Sequence, residues 1–207
     1  MSTVQSASYS HLFPVPFMTH RWAGNSELNN DLRLKILAHS RQSRGENKSN
    51  AGGWHSETGQ LEFLQEAREP LIRQMSELVE EATRRVLAEA GTPPLPITWT
   101  FQAWANISRG GDSHAAHTHP GATWSGVYYV DAGETGTGAS AELELADPCL
   151  GRSNTFLPFL LPSSVGVRPE AGLMVLFPSY VPHAVQVQKG SGTRISIAFN
   201  FRKESFP

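Results

Sequence analysis

The sequence predicts an α+β protein in which N-terminal helices support a β-barrel of the jelly-roll kind. Two observations carry this expectation. Apolar residues recur at helical spacing in the first half of the chain and at period two from Thr98 onward. The period-two segments are short and separated by Gly, Pro and Asp clusters, the pattern of sandwiches and barrels.

The chain has 207 residues, 39% of them hydrophobic and 17% charged, enough to bury one sizeable core. One domain over 1–207 is expected, with 1–96 a helical buttress and loop and 97–207 the barrel. A net charge of −2 leaves no electrostatic footprint for nucleic acid or an anionic membrane. Cys149 is the single cysteine, so no internal disulfide forms. The first residues lack a basic stretch followed by an apolar run, and the apolar runs are too short to span a bilayer. A cytoplasmic protein without membrane or nucleic-acid partners is expected. The oligomeric state stays open, a homodimer being one option.

Residues 11–24 carry two prolines and several aromatics and read as an extended lead-in. Asn25 or Ser26 caps a helix to about residue 41, with Leu28, Leu32 and Ile36 on one face. Residues 41–60 are polar and Gly-rich and read as a long loop. Pro70 sits in the first turn of the clearest helix, where Leu71, Met75, Leu78, Ala82 and Val86 form one stripe. Gly91 ends it, with Pro93 and Pro94 beyond. This helix is expected to pack on the outside of a sheet. Strands are expected at 97–107, 123–131, 140–146, 173–178, 183–188 and 193–202.

Eight histidines occur, and His114, His117 and His119 fall in one short segment. In an extended chain, residues two apart point the same way, so His117 and His119 present two imidazoles to one point. Imidazole suits iron, zinc, copper and nickel. His183 is the best third ligand, because it opens a strand after a proline-bounded turn. His114 is close enough to assist the ligands, whereas His11, His20, His39 and His55 read as ordinary surface or hydrogen-bonded residues.

In the last strand, Ile195, Ile197, Phe199 and Phe201 alternate with Arg194, Ser196, Ala198, Asn200 and Arg202. The apolar face belongs in a core, and Arg202 reads as solvent-facing. Arg194 and Ser196 admit a sharper reading. A guanidinium binds a carboxylate through two parallel hydrogen bonds, and a hydroxyl adds a third. A dicarboxylate could then chelate the metal at one end and meet Arg194 at the other.

That arrangement resembles the 2-oxoglutarate- and Fe(II)-dependent oxygenases. The chain is most similar to a small group of bacterial and phage-associated members. The segments that carry the likeness are 49–56, Trp104-Ala-Asn106, His117-Thr-His119-Pro120, Ser125-Gly-Val-Tyr-Tyr129-Val and 177–183. The resemblance implies a double-stranded β-helix, a cupin-like jelly roll. It implies that His117, His119 and His183 hold Fe(II), and that Arg194 and Ser196 bind the distal carboxylate of 2-oxoglutarate. Tyr129 would reach the same carboxylate and Asn106 would line the cosubstrate pocket, unless each is simply a buried strand residue. The activity implied is hydroxylation of a small molecule or peptide, with release of succinate and CO2.

The sequence departs from the superfamily at position 119, where a histidine replaces the usual carboxylate ligand. Asp112, Asp131 and Glu142 are candidates to supply one. Trp54 and His55 either close over a substrate or anchor a surface loop, and Trp124 would face the entrance. Two other readings remain: a cupin-type metalloprotein that does not use 2-oxoglutarate, and a non-catalytic binding module. Against the first, the glutamate of the first cupin motif is missing after His119.

Overall fold

The structure is a computed structural model and describes residues 14–134, 138, 140–149 and 162–205. The expected strand 140–146 is shortened at its start, and His11 lies outside the described residues. Two helices form where the helical spacing lies: α1 (Ser26–Ser40) and α2 (Arg68–Glu89), the latter entered through a short 3-10 segment, Glu62–Ala67. Among the described residues, no helix is long and apolar enough to cross a membrane.

The strands, in chain order, are β1 (Met18–Arg21), β2 (Asn50–Ala51), β3 (Trp54–His55), β4 (Thr98–Ser108), β5 (Ser113–His117), β6 (Trp124–Asp131), β7 (Leu143–Ala146), β8 (Ser164–Val167), β9 (Leu173–Pro178), β10 (His183–Val185) and β11 (Arg194–Ser205). A six-stranded sheet has the order β1-β9-β6-β11-β4-β3, and a five-stranded sheet has the order β2-β5-β10-β7-β8. Every pairing is antiparallel. This is the double-stranded β-helix expected, with N-terminal helices as its support. Strands β2 and β3 fall in the segment expected to be a loop, and β5 and β8 were not anticipated either, because none of the four has a run of alternating β-formers.

The period-two pattern decides which residues face which layer. On the outer face of the larger sheet, Ala103, Ala105 and Ile107 of β4 meet Tyr128 of β6 and Ile195, Ile197 and Phe199 of β11. Against them pack Leu71, Met75, Leu78, Val79 and Ala82 of α2 and Leu32 and Ile36 of α1. Each fully buried Leu or Ile of this seam contributes roughly 1.5–3 kcal/mol. Val86, the last residue of the expected stripe, is exposed. The inner face carries a second cluster: Tyr129, Val175 and Phe177 from the larger sheet meet Leu143 and Leu145 from the smaller.

A polar clasp fixes the helices to the sheet. Asn25 occupies the N-cap position of α1 but makes no capping hydrogen bond with its side chain. Its Nδ2 donates instead to Gln74 Oε1 of α2 at 2.9 Å and to the Tyr128 hydroxyl of β6 at 2.8 Å. That hydroxyl donates in turn to Asn29 Oδ1 of α1 at 2.5 Å.

Two glycine and tryptophan positions follow from the same layering. Gly126 must be glycine: a Cβ there would lie 2.3 Å from the Phe199 ring and 2.6 Å from the Val175 carbonyl. Trp124 does not face the entrance. It is 5% exposed in the helix–sheet core, and its Nε1 donates to Thr83 Oγ1 of α2 at 3.0 Å. The expectation fails because even-numbered residues of β6 point to the helices and odd-numbered ones into the barrel.

Candidate metal centre and its pocket

His117 ends β5, His119 follows it, and His183 opens β10, directly opposite His117 in the smaller sheet. The pairing brings together residues 66 positions apart in the chain. The three imidazoles offer nitrogens that all lie within 4.8 Å of one another. Ring centroids are 4.3 Å apart for His117–His183, 4.9 Å for His117–His119 and 5.0 Å for His119–His183.

Backbone carbonyls orient two of the rings. His117 Nδ1 lies 2.7 Å from the Ala115 carbonyl and His183 Nδ1 lies 2.9 Å from the Val181 carbonyl. Nδ1–H donates to the carbonyl in each case, which leaves the Nε2 lone pair for a metal. Burial pushes His119 down to about 3 and His183 down to about 4, with neighbouring imidazoles adding to both shifts. Both rings are therefore neutral near pH 7, the state a metal ligand needs. The donor set fits a divalent transition ion.

None of the suggested carboxylates joins the cluster. Asp112 accepts from the Arg109 amide at 2.7 Å and so closes a turn. Asp131 pairs with Arg33 and accepts from the Gly133 amide. The Glu142 carboxylate lies against Gly166 on the neighbouring strand β8. Three neutral ligands leave the full charge of a divalent ion in the site.

The triad lies in the wall of a cavity of about 600 Å³ between the sheets, which also takes in Arg194, Ser196, Tyr129, Asn106 and His55. The register explains why. Ser196 stands between Asn106 of β4 and Tyr129 of β6, all three on the inner face, with Arg194 two residues further down the same strand. Arg194 is 2% exposed. Its Nη1 donates to the Ala141 carbonyl at 2.9 Å, while its Nε is buried with no partner. Among the described residues, no carboxylate pairs with it. Burial raises the Tyr129 phenol to about 12, with the Arg194 charge acting the other way, so it stays a neutral donor. Asn106 Oδ1 is also buried without a partner. Orphaned polar atoms of this kind cost free energy until a ligand meets them. An anionic ligand with accepting oxygens, such as 2-oxoglutarate, fits the Arg194 donor, whereas the Asn106 oxygen calls for a donor.

Trp54 and His55 separate. Trp54 donates from Nε1 to the Ser43 carbonyl at 3.1 Å and packs against the helix-side core. It anchors its loop, and its role over the substrate is corrected. His55 is 4% exposed, lines the cavity, and stacks on Trp104 with centroids 5.6 Å apart. It is not a surface histidine.

His114 also enters the cavity, which simple alternation would forbid because it is three residues from His117. The pairing of β5 with β10 matches His117 to His183 and His114 to Val185, three steps on one strand against two on the other. This β-bulge turns both histidines to the same face. Burial lowers His114 to about 3, with the Arg194 charge the next contributor. No sequence signal marks the bulge.

Solved structures share this architecture. A Pseudomonas putida prolyl-4-hydroxylase aligns with a TM-score of 0.64 at 18% identity, covering 92% of this chain and 94% of its own. A Trichoplax adhaerens prolyl hydroxylase, in complex with a hypoxia inducible factor oxygen degradation domain peptide fragment, aligns with a TM-score of 0.62 at 17% identity, covering 91% and 84%. HygX from Streptomyces hygroscopicus, with nickel and 2-oxoglutarate bound, aligns with a TM-score of 0.56 at 11% identity, covering 92% and 83%. No curated protein matches the sequence. The chain shares the fold of the 2-oxoglutarate- and Fe(II)-dependent oxygenase superfamily. Within it, residues 102–200 match the family described as "Putative 2OG-Fe(II) oxygenase", whose cofactors are Fe(II) and 2-oxoglutarate.

Proposed function

We propose that this protein hydroxylates a small molecule or peptide in an Fe(II)- and 2-oxoglutarate-dependent reaction. The observation that carries the reading is Arg194: a guanidinium buried without a carboxylate, in the same cavity as three convergent imidazoles. In this reading His117, His119 and His183 hold the metal. Fe(II), when bound, would supply the redox chemistry by which O2 oxidises 2-oxoglutarate to succinate and CO2, one oxygen atom entering succinate and the other a substrate C–H bond.

The chain's own groups bind and orient. Arg194 Nε and its terminal nitrogens grip the distal carboxylate, with the Ser196 hydroxyl beside them. The Tyr129 phenol adds a neutral donor, and Asn106 and His114 flank the cosubstrate. Leu143, Val185 and Phe177 keep water from the cavity floor. The charge left by three neutral ligands favours a dianionic chelator, which suits 2-oxoglutarate.

The test is anaerobic titration of the metal-free protein with Fe(II) and then 2-oxoglutarate. The expected result is the visible charge-transfer band of the chelate, with succinate released once air and substrate are admitted. Arg194→Ala should weaken 2-oxoglutarate about 10- to 100-fold, as removal of a charge-assisted hydrogen-bond pair does, and leave Fe(II) affinity unchanged. A wild-type protein that binds Fe(II) yet shows no band would overturn the reading in favour of a cupin without a cosubstrate site. Binding of neither would leave a non-catalytic module.

A further inference from the structure

A five-carbon dicarboxylate fills only part of a cavity of about 600 Å³. The remaining wall is ordered by the strand register. Moving along β11, Arg194 is followed by the row Ser196–Asn106–Tyr129, then Ala198–Trp104–Val127, then Asn200–Gln102–Ser125, all facing inward. Each step is about 7 Å of strand. Phe177 of β9 pairs with Ser125 and so extends the last row, and its ring lies 4.9 Å from that of His183. This row therefore starts at the edge of the metal site and runs away from it to Gln102, which is solvent-exposed.

The chemistry of that row is specific. Ser125 Oγ donates to Asn200 Oδ1 at 2.7 Å, which fixes the Asn200 carboxamide with its Nδ2 directed elsewhere. Among the described residues, neither Asn200 Nδ2 nor the Gln102 carboxamide has a hydrogen-bond partner. Two carboxamides on directly opposed positions of adjacent strands stand roughly 5 Å apart at Cα. Together they offer donors to a carbonyl and an acceptor to an N–H.

Other substrate classes fit less well. Among the described residues no Asp or Glu lines the cavity, so an ammonium group finds no counter-charge there. Trp104 has no open face for a sugar ring, because it is stacked by His55 and approached by His119 at 5.5 Å. What the row can read is a neutral amide.

We propose that Gln102 and Asn200 form a substrate subsite for the backbone amide of a peptide segment, bound at the open end of the barrel beside the metal. The subsite rests on the oxygenase reading above. Its open end lets a chain continue past Gln102 in either direction, so blocked termini are accepted.

The test uses wild-type protein loaded anaerobically with Fe(II) and 2-oxoglutarate. Pools of short peptides, acetylated at one end and amidated at the other, are added, with unblocked amino acids and neutral sugars as comparators. The capped pools should perturb the chelate band and, in air, stimulate succinate release. Gln102→Ala and Asn200→Ala should each raise the peptide concentration for half-maximal response about three- to tenfold, with 2-oxoglutarate affinity unchanged. A chelate band that ignores capped peptides, or answers only to sugars or free amino acids, overturns the subsite and leaves the oxygenase reading intact. So does a Gln102→Ala protein with wild-type peptide response. Absence of the band in the wild type removes both.

Discussion

A buried guanidinium without a carboxylate partner and three convergent imidazoles are the residue-scale facts on which the site rests. Arg194, His117, His119 and His183 were each legible in the sequence, because each combines a chemical type with a strand period. Ser196 was legible through the same alternation, and Asn106 through the family resemblance alone. His55 and His114 were not, since their inward aim comes from an edge pairing and a bulge. The histidines also make stability depend on pH. His114, His119 and His183 fall from an ordinary value near 6.5 to about 3, 3 and 4, first of all through burial. Between about pH 6.5 and pH 4 the unfolded chain binds more protons than the folded one, so folding weakens as pH falls through that window. Above pH 6.5 the contribution is complete. Thermal unfolding of the metal-free protein should show a midpoint that declines steadily from pH 7 to pH 4, and a level midpoint down to pH 4.5 would contradict the cause.

Elements act here by presenting alternate residues to two layers. Strand β6 shows the division: Trp124, Tyr128 and Val130 serve the helix side, whereas Ser125, Val127 and Tyr129 serve the cavity. The adjacent tyrosines therefore do different work. Tyr128→Phe removes both hydrogen bonds of the clasp that joins α1 to β6 and leaves the Asn25 amide held by Gln74 alone. A loss of about 1–2 kcal/mol in unfolding free energy is expected. Chemical denaturation should record that loss, while Fe(II) and 2-oxoglutarate affinities stay at the wild-type level because the hydroxyl faces away from the cavity. Tyr129→Phe should do the reverse to cosubstrate affinity, so the pair separates scaffold from site.

At the scale of the whole molecule, the candidate site draws on both sheets. His117 and His183 sit on neighbouring strands of the smaller sheet, and the cosubstrate residues stand on the larger one. A ligand that bridges them adds binding free energy to the folded state alone. Adding Fe(II) and then 2-oxoglutarate without oxygen should raise the unfolding midpoint in two steps, and a chelator should reverse both. In the Arg194→Ala protein the first step should persist and the second should shrink.

The sequence alone determined the helical and period-two segments, the class of fold, the three imidazoles proposed to hold the metal and the arginine-bearing strand face. Each of these follows from local periodicity joined to residue chemistry, which survives without knowledge of neighbours. Only the tertiary structure decided that Trp124 and Trp54 turn away from the cavity, that a bulge brings His114 into it, and that no carboxylate joins the histidines. Those outcomes depend on which strand pairs with which and at what register. The pairing is set by packing between segments far apart in the chain, and no local pattern encodes it.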